Sequence, residues 1–144
     1  MPEASARRGA ILIVEDRDDV RQGLAQLLEF QGYVVFEAGD STEAFAQMES
    51  SPHGIALILL DLNLPGPGGE AIRASQLANP ELSAIPAIVV SACGPDTPGG
   101  AALRAAAWIE KPFRFEDLLE QIRRFVIPEG SDGRTRSSIQ PPAA

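Results

Sequence analysis

A small set of polar side chains stands directly behind short apolar runs, where strands would deliver them to one edge of a sheet. Glu15 and Asp16 follow Ala10–Val14, and Asp61 follows the apolar run Ile55–Leu60. Ser91 halts Ala87–Val90, and Lys111 lies just past Ala107–Ile109. Carboxylates brought together repel one another, and either raised pKa values or a bound cation must relieve them. Oxygen ligands without His or Cys suit Mg²⁺, with Mn²⁺ as the alternative. Magnesium keeps several waters and favours one or two carboxylates plus a phosphate oxygen, so it is the metal expected where a phosphoryl group is handled. The Lys111 ammonium and the Ser91 hydroxyl add a cation and a hydrogen-bond donor, the electrostatic clamp that phosphoryl transfer requires. An aspartate in that clamp can itself be the nucleophile and form an acyl phosphate. Lys111 is the only lysine; all other basic residues are arginine. A point charge on a flexible stem therefore occurs at one place in the chain.

These residues work together only if the fold brings their strands side by side. Ala10–Val14 is continuous and apolar, as a strand buried on both faces must be. Asp18 or Asp19 can open a helix whose Val20, Leu24, Leu27 and Leu28 share one face, with Gly32 ending it. Tyr33–Phe36 reads as the second strand. Asp40-Ser41-Thr42-Glu43 reads as a capping-box start for a short helix. Ile55–Leu60 is the third strand, followed by a Pro/Gly loop at 65–69 and a helix near Glu70–Ala78. Ala87–Val90 is the fourth strand. Gly94–Gly100 then confines any fourth helix to about Ala101–Ala106. Ala107–Ile109 is the fifth strand, and the last helix spans about Phe115–Val126. Strands alternating with helices imply right-handed crossovers and a doubly wound α/β sandwich. The fold expected is a flavodoxin-like (βα)5 arrangement with a five-stranded parallel sheet of order 2-1-3-4-5. Ligands bind such sheets outside the carboxyl ends of the strands, at the switch point between strands 1 and 3. That point carries Glu15, Asp16 and Asp61.

The 144 residues allow one domain with an ordinary core. The expected division is a flexible tail at 1–9, a domain at 10–127 and a disordered Gly/Pro/Ser/Arg-rich tail at 128–144. A net charge of −8 and a pI near 4.6 argue against direct nucleic-acid binding. No apolar run is long enough to cross a bilayer, and no secretory leader fits the N-terminus. The lone Cys93 points to a reducing, cytoplasmic setting.

With these residues in hand, the chain resembles the receiver domain of two-component response regulators. The matching segments are Ile11–Asp16, Leu59–Gly66, Val89–Ala92 and Lys111-Pro112-Phe113, in the family's order and near its spacing. The resemblance covers roughly Ala10 to Ile127. It implies that Asp61 accepts a phosphoryl group from a sensor histidine kinase or a histidine phosphotransfer protein. It further implies that Glu15 and Asp16 hold Mg²⁺ together with Asp61 and the backbone carbonyl of Asn63. By the same resemblance Ser91 and Lys111 bind phosphoryl oxygens, and the Lys111–Pro112 peptide is cis. The chain is then a phosphoacceptor signalling protein rather than an enzyme acting on outside substrates.

Three departures bear on output. Trp108 stands where the family's switch aromatic is usually Tyr, Phe or His, the partner of Ser91 in signalling; the reading favours core packing over switching. Cys93–Gly100 replaces the usual start of helix 4, and Pro67-Gly68-Gly69 replaces Met-Asp-Gly. The leading expectation is a stand-alone receiver that signals to an unknown protein target by contact or by onward relay, as a monomer or weak homodimer. One alternative is a receiver-like scaffold without a phosphorylation cycle. A second is a Mg²⁺-dependent aspartyl phosphohydrolase, disfavoured because Asn63 stands where such enzymes carry a second Asp.

Overall fold

The computed structural model describes residues 6–51 and 54–129. The five main strands are β1 (Ala10–Val14), β2 (Val35–Ala38), β3 (Ile55–Asp61), β4 (Ala87–Ser91) and β5 (Ala107–Glu110). They are all parallel and lie in the order β2-β1-β3-β4-β5, as the alternation of elements predicts. Four helices accompany them: α1 (Asp18–Phe30), α2 (Ser41–Ser50), α3 (Gly68–Ala78) and α4 (Phe115–Arg123).

The two-residue period of the strands divides the core into two layers. Ile11, Ile13, Leu57 and Leu59 point to one face and pack with Leu28, Leu118 and Ile122 of α1 and α4. Leu12, Val14, Ile58 and Leu60 point to the other and pack with Met48, Ile72 and Leu82. Every residue of β1 and β3 is buried, so their apolar runs are the consequence of helices on both sides. Burying one such Leu or Ile side chain stabilises the fold by about 1.5–3 kcal/mol.

Several element ends differ from the sequence expectation. The second strand begins at Val35, not Tyr33. Gly32 turns the chain at φ 97°, the Tyr33 N–H bonds back to the Leu28 carbonyl, and the Tyr33 ring is buried with the α1–α4 layer. The residue at the N-cap of α1 is Arg17, whose side chain makes no cap; Asp18 and Asp19 sit in the first turn instead, where the helix dipole favours them. At α2 the capping box is present: Asp40 Oδ1 accepts the Glu43 N–H at 2.8 Å, and Glu43 Oε1 accepts the Gly39 N–H at 2.6 Å.

Between β4 and β5 the structure keeps within the expected Ala101–Ala106 bounds but forms no α-helix there. Only a 3₁₀ turn at Ala101–Leu103 remains, closed by Arg104 in the left-handed region at φ 49°. The domain edges also reach further than expected. Arg7–Arg8 pairs in parallel with Val126–Ile127, and the Glu129 N–H bonds to the Gly32 carbonyl. The remaining parts of the two expected tails, 1–5 and 130–144, lie outside the described residues. No helix among the described residues is long and apolar enough to cross a membrane.

Candidate functional site

β1 and β3 are hydrogen-bonded neighbours with Val14 opposite Leu60, so the residues that follow them emerge at one place. Asp61, the last residue of β3, is 4% exposed. Its Oδ1 accepts the Asn63 N–H at 2.9 Å, and its Oδ2 lies 2.9 Å from Lys111 Nζ. Lys111 arrives there because its own N–H bonds to the Ser91 carbonyl at 2.8 Å, prolonging the β4–β5 ladder by one rung. The Lys111–Pro112 peptide is cis. Gly69 lets α3 start close by: a Cβ there would sit 2.6 Å from the Asp61 carbonyl oxygen and 2.9 Å from Leu62 Cα.

Glu15 is buried beside Asp61. Its carboxyl is pushed up to about 7, first by burial, then by a hydrogen bond with the Asp61 carboxylate and by the charge of that carboxylate. The Arg17 N–H, 3.0 Å from Glu15 Oε2, and the Lys111 ammonium oppose the rise. Asp16 is exposed on the rim. Glu15, Asp16, Asp61, Asn63 and Lys111 line one open basin of about 810 Å³. A second concavity, between α2 and α3, is lined by Phe45, Leu64 and Ile72 and gathers no opposed charges.

The sequence-predicted residues thus come together with two qualifications. Among the described residues, no three carboxylates already converge into a metal cage. Glu15 and Asp61 touch, while Asp16 shares only the basin. This donor set fits Mg²⁺, which keeps much of its water and takes one or two carboxylates. Ser91 does not line the basin; its Oγ accepts the Cys93 N–H at 3.1 Å.

Trp108 is not a core residue, contrary to the sequence reading. β5 is an edge strand, the ring is half-buried, and Nε1 donates to the Cys93 carbonyl at 2.7 Å. Between β4 and β5 there is only the 3₁₀ turn at Ala101–Leu103, so the indole is covered in part.

Sequence reasoning missed three polar residues. Arg21, on α1, donates to the Glu15 carbonyl from beside the basin. Arg73 and Gln76, on α3, are 3% and 1% exposed. Arg73 donates to the carbonyls of Leu103 at 2.7 Å, Arg104 at 2.9 Å and Ile85 at 3.2 Å, and to Gln76 Oε1 at 2.6 Å. Gln76 Nε2 donates to Leu82 and Ile85 carbonyls. The available signal was the helical spacing of Gly69, Ile72, Arg73 and Gln76, which puts two polar residues on the buried face of α3.

Comparison with known proteins agrees with this geometry. The family description "Response regulator receiver domain" matches residues 11–123. The chain is 34% identical over 125 residues to the sensory transduction protein RegX3 of Mycolicibacterium smegmatis, covering 85% of this chain and 52% of that protein. It is 31% identical over 120 residues to the response regulator receiver protein CpdR of Brucella abortus, covering 81% of this chain and 96% of that one. It therefore spans about half the length of RegX3 and nearly all of CpdR. Among solved structures, the Vibrio cholerae chemotaxis protein CheY4 superposes with a TM-score of 0.72 at 26% identity, over 85% of this chain and 100% of that one. A carboxylate pair at the β1–β3 switch point, a lysine on the buried aspartate and a family match over most of the chain lead to one assignment. The chain belongs to the receiver domains of two-component response regulators.

Proposed function

We propose that Asp61 is the phosphoacceptor of a Mg²⁺-dependent switch, charged by a histidine kinase or a histidine phosphotransfer protein. The observation that carries this reading is the state of the Asp61 carboxylate: buried, one oxygen on Lys111, and in contact with Glu15. An Asp61 oxygen attacks phosphorus, a new O–P bond forms, and the P–N bond to the donor imidazole breaks with its electron pair leaving on nitrogen. Glu15, Asp16, Asp61 and the Asn63 carbonyl are the groups that would hold Mg²⁺, which neutralises phosphoryl charge when bound. Lys111 follows the charge from the carboxylate to a phosphoryl oxygen, and the Ser91 hydroxyl exchanges the Cys93 N–H for that phosphoryl group.

A donor must reach the basin. Val20 on its lip and Leu27 two turns further along α1 are 39% and 48% exposed, and Leu24 lies between them. This apolar stripe supports docking of a helical donor along α1. Output by protein contact or onward relay is part of this proposal; CpdR, 96% of which this chain covers, is likewise named a receiver protein. The free Cys93 is in keeping with a reducing cytoplasm.

A second reading is a scaffold that binds partners without a phosphorylation cycle. It is favoured by the loss of the fourth helix and by the Trp108 N–H held on Cys93. One experiment separates the two: intact mass after incubation with Mg²⁺ and acetyl phosphate, alongside Asp61→Asn. The expected result is a single phosphoryl adduct that the variant lacks. An equal adduct on Asp61→Asn overturns the assignment of Asp61. No adduct on folded, Mg²⁺-binding protein, followed by none from a panel of kinases, leaves the scaffold.

A further inference from the structure

The acidic end of the basin hangs on two residues, Glu15 and Asp16, that follow β1 after its ladder has ended. The Glu15 N–H is fixed by the Ala38 carbonyl at 3.0 Å. No strand partner fixes its carbonyl. That role falls to Arg21, whose NH1 donates to the Glu15 oxygen at 2.8 Å.

The rest of the guanidinium is committed elsewhere. NH2 pairs with Asp18 at 2.7 Å and Nε with Glu37 of β2 at 3.0 Å. The side chain is only 12% exposed. Three partners on three elements hold the fork in one orientation, which a planar five-donor group does well and an ammonium does not. Its charge is matched by Asp18 and Glu37 and so is not spent on the basin carboxylates. Gly39 leaves the space: a Cβ there would lie 3.1 Å from Arg21 NH1.

We propose that Arg21 is a positioning residue for metal binding, holding the Glu15–Asp16 peptide so that both carboxylates face the same cation. The inference rests on the phosphoacceptor reading, because a metal must bind there for positioning to matter. Groups that orient ligands from outside typically contribute 10–100-fold to metal affinity.

The test is Mg²⁺ titration by calorimetry on the wild type, Arg21→Gln and Glu37→Gln, with each variant's melting temperature measured in EDTA. Expected are about tenfold weaker Mg²⁺ binding for Arg21→Gln and a change within about twofold for Glu37→Gln, which keeps the bond to Glu15. The Mg²⁺ concentration needed for half-maximal phosphorylation by acetyl phosphate should rise in parallel with the loss of affinity. Mg²⁺ affinity of Arg21→Gln within about twofold of wild type overturns the proposal. Equal losses in Arg21→Gln and Glu37→Gln also overturn it, because a general loosening of the ion pairs would then be the cause. If Arg21→Gln fails to fold, Arg21→Lys keeps the charge and loses the fork, and the same thresholds apply. A wild type that binds no Mg²⁺ is a different failure: it removes the phosphoacceptor reading itself.

Discussion

Among the described residues, fully buried charge occurs in two places, and the two are built on opposite principles. At the ends of β1 and β3, Glu15 is crowded against Asp61, and one ammonium, that of Lys111, bonds to Asp61. Under the 3₁₀ turn at Ala101–Leu103, a guanidinium is surrounded by neutral carbonyls and one amide, with no carboxylate. Burial presses the Arg73 pKa downward, with Arg104 as the secondary cause, yet its donors are well used. In the basin, by contrast, the balance stays negative and open to an arriving cation or phosphoryl group. A buried charge that is saturated holds a structure together; one left partly unanswered is available for chemistry.

Breaking the saturated region should have the larger effect on stability. Arg73→Met strands the Leu103 carbonyl and Gln76 Oε1 in a dry site, and each orphaned group costs about 1–3 kcal/mol. The expected loss is about 4 kcal/mol in chemical denaturation, and protein that still folds at low temperature should take phosphate on Asp61 at the wild-type rate. A loss below about 1 kcal/mol would mean that the Gly94–Arg104 segment holds its place without Arg73.

The same contrast explains what was legible in the sequence. Continuous apolar runs of three to six residues announce strands, and polar residues just past these runs announce the site. Glu15, Asp61 and Lys111 therefore came with their neighbours already implied by strand order. Arg73 and Gln76 gave no such announcement, because their partners are backbone carbonyls at Ile85, Leu103 and Arg104, which leave no trace in residue type. Arg21 was hidden for the same reason: its decisive contact is to the Glu15 carbonyl. Trp108 was misread as core because an edge strand beside a missing helix looks, in sequence, like any other apolar strand.

The basin predicts an unusual pH dependence. Glu15 titrates at about 7 in the folded chain against 4.5 when unperturbed. Between those values the folded state keeps a proton that the unfolded state has lost, so stability must fall as pH rises through this window and level off above it. Melting temperature in EDTA should decline from pH 5 to 7.5. Saturating Mg²⁺ should flatten the decline, because the cation takes over from the proton in screening Glu15 from Asp61. Stability in EDTA that rises over this range would show that the two carboxylates do not share the basin as the geometry has them.

The smallest effect sharpens the comparison most, because it probes whether the two regions communicate. Ser91 Oγ accepts from the Cys93 N–H, and the Cys93 carbonyl accepts from Trp108 Nε1, so the backbone of one residue joins the basin's outlying hydroxyl to the edge strand. Trp108→Phe keeps an aromatic ring on β5 and removes only the N–H. The hydrogen bond lies on a half-buried residue, where its loss costs about 1 kcal/mol. If the basin works independently of that face, the rate of Asp61 phosphorylation stays within about twofold of wild type, since the indole N–H bonds to Cys93 and not to Lys111 or Glu15. A larger change in rate at unchanged Mg²⁺ affinity would mean that the Cys93 peptide must move when Ser91 turns toward the phosphoryl group. The region that lost its fourth helix would then still answer the basin through two hydrogen bonds.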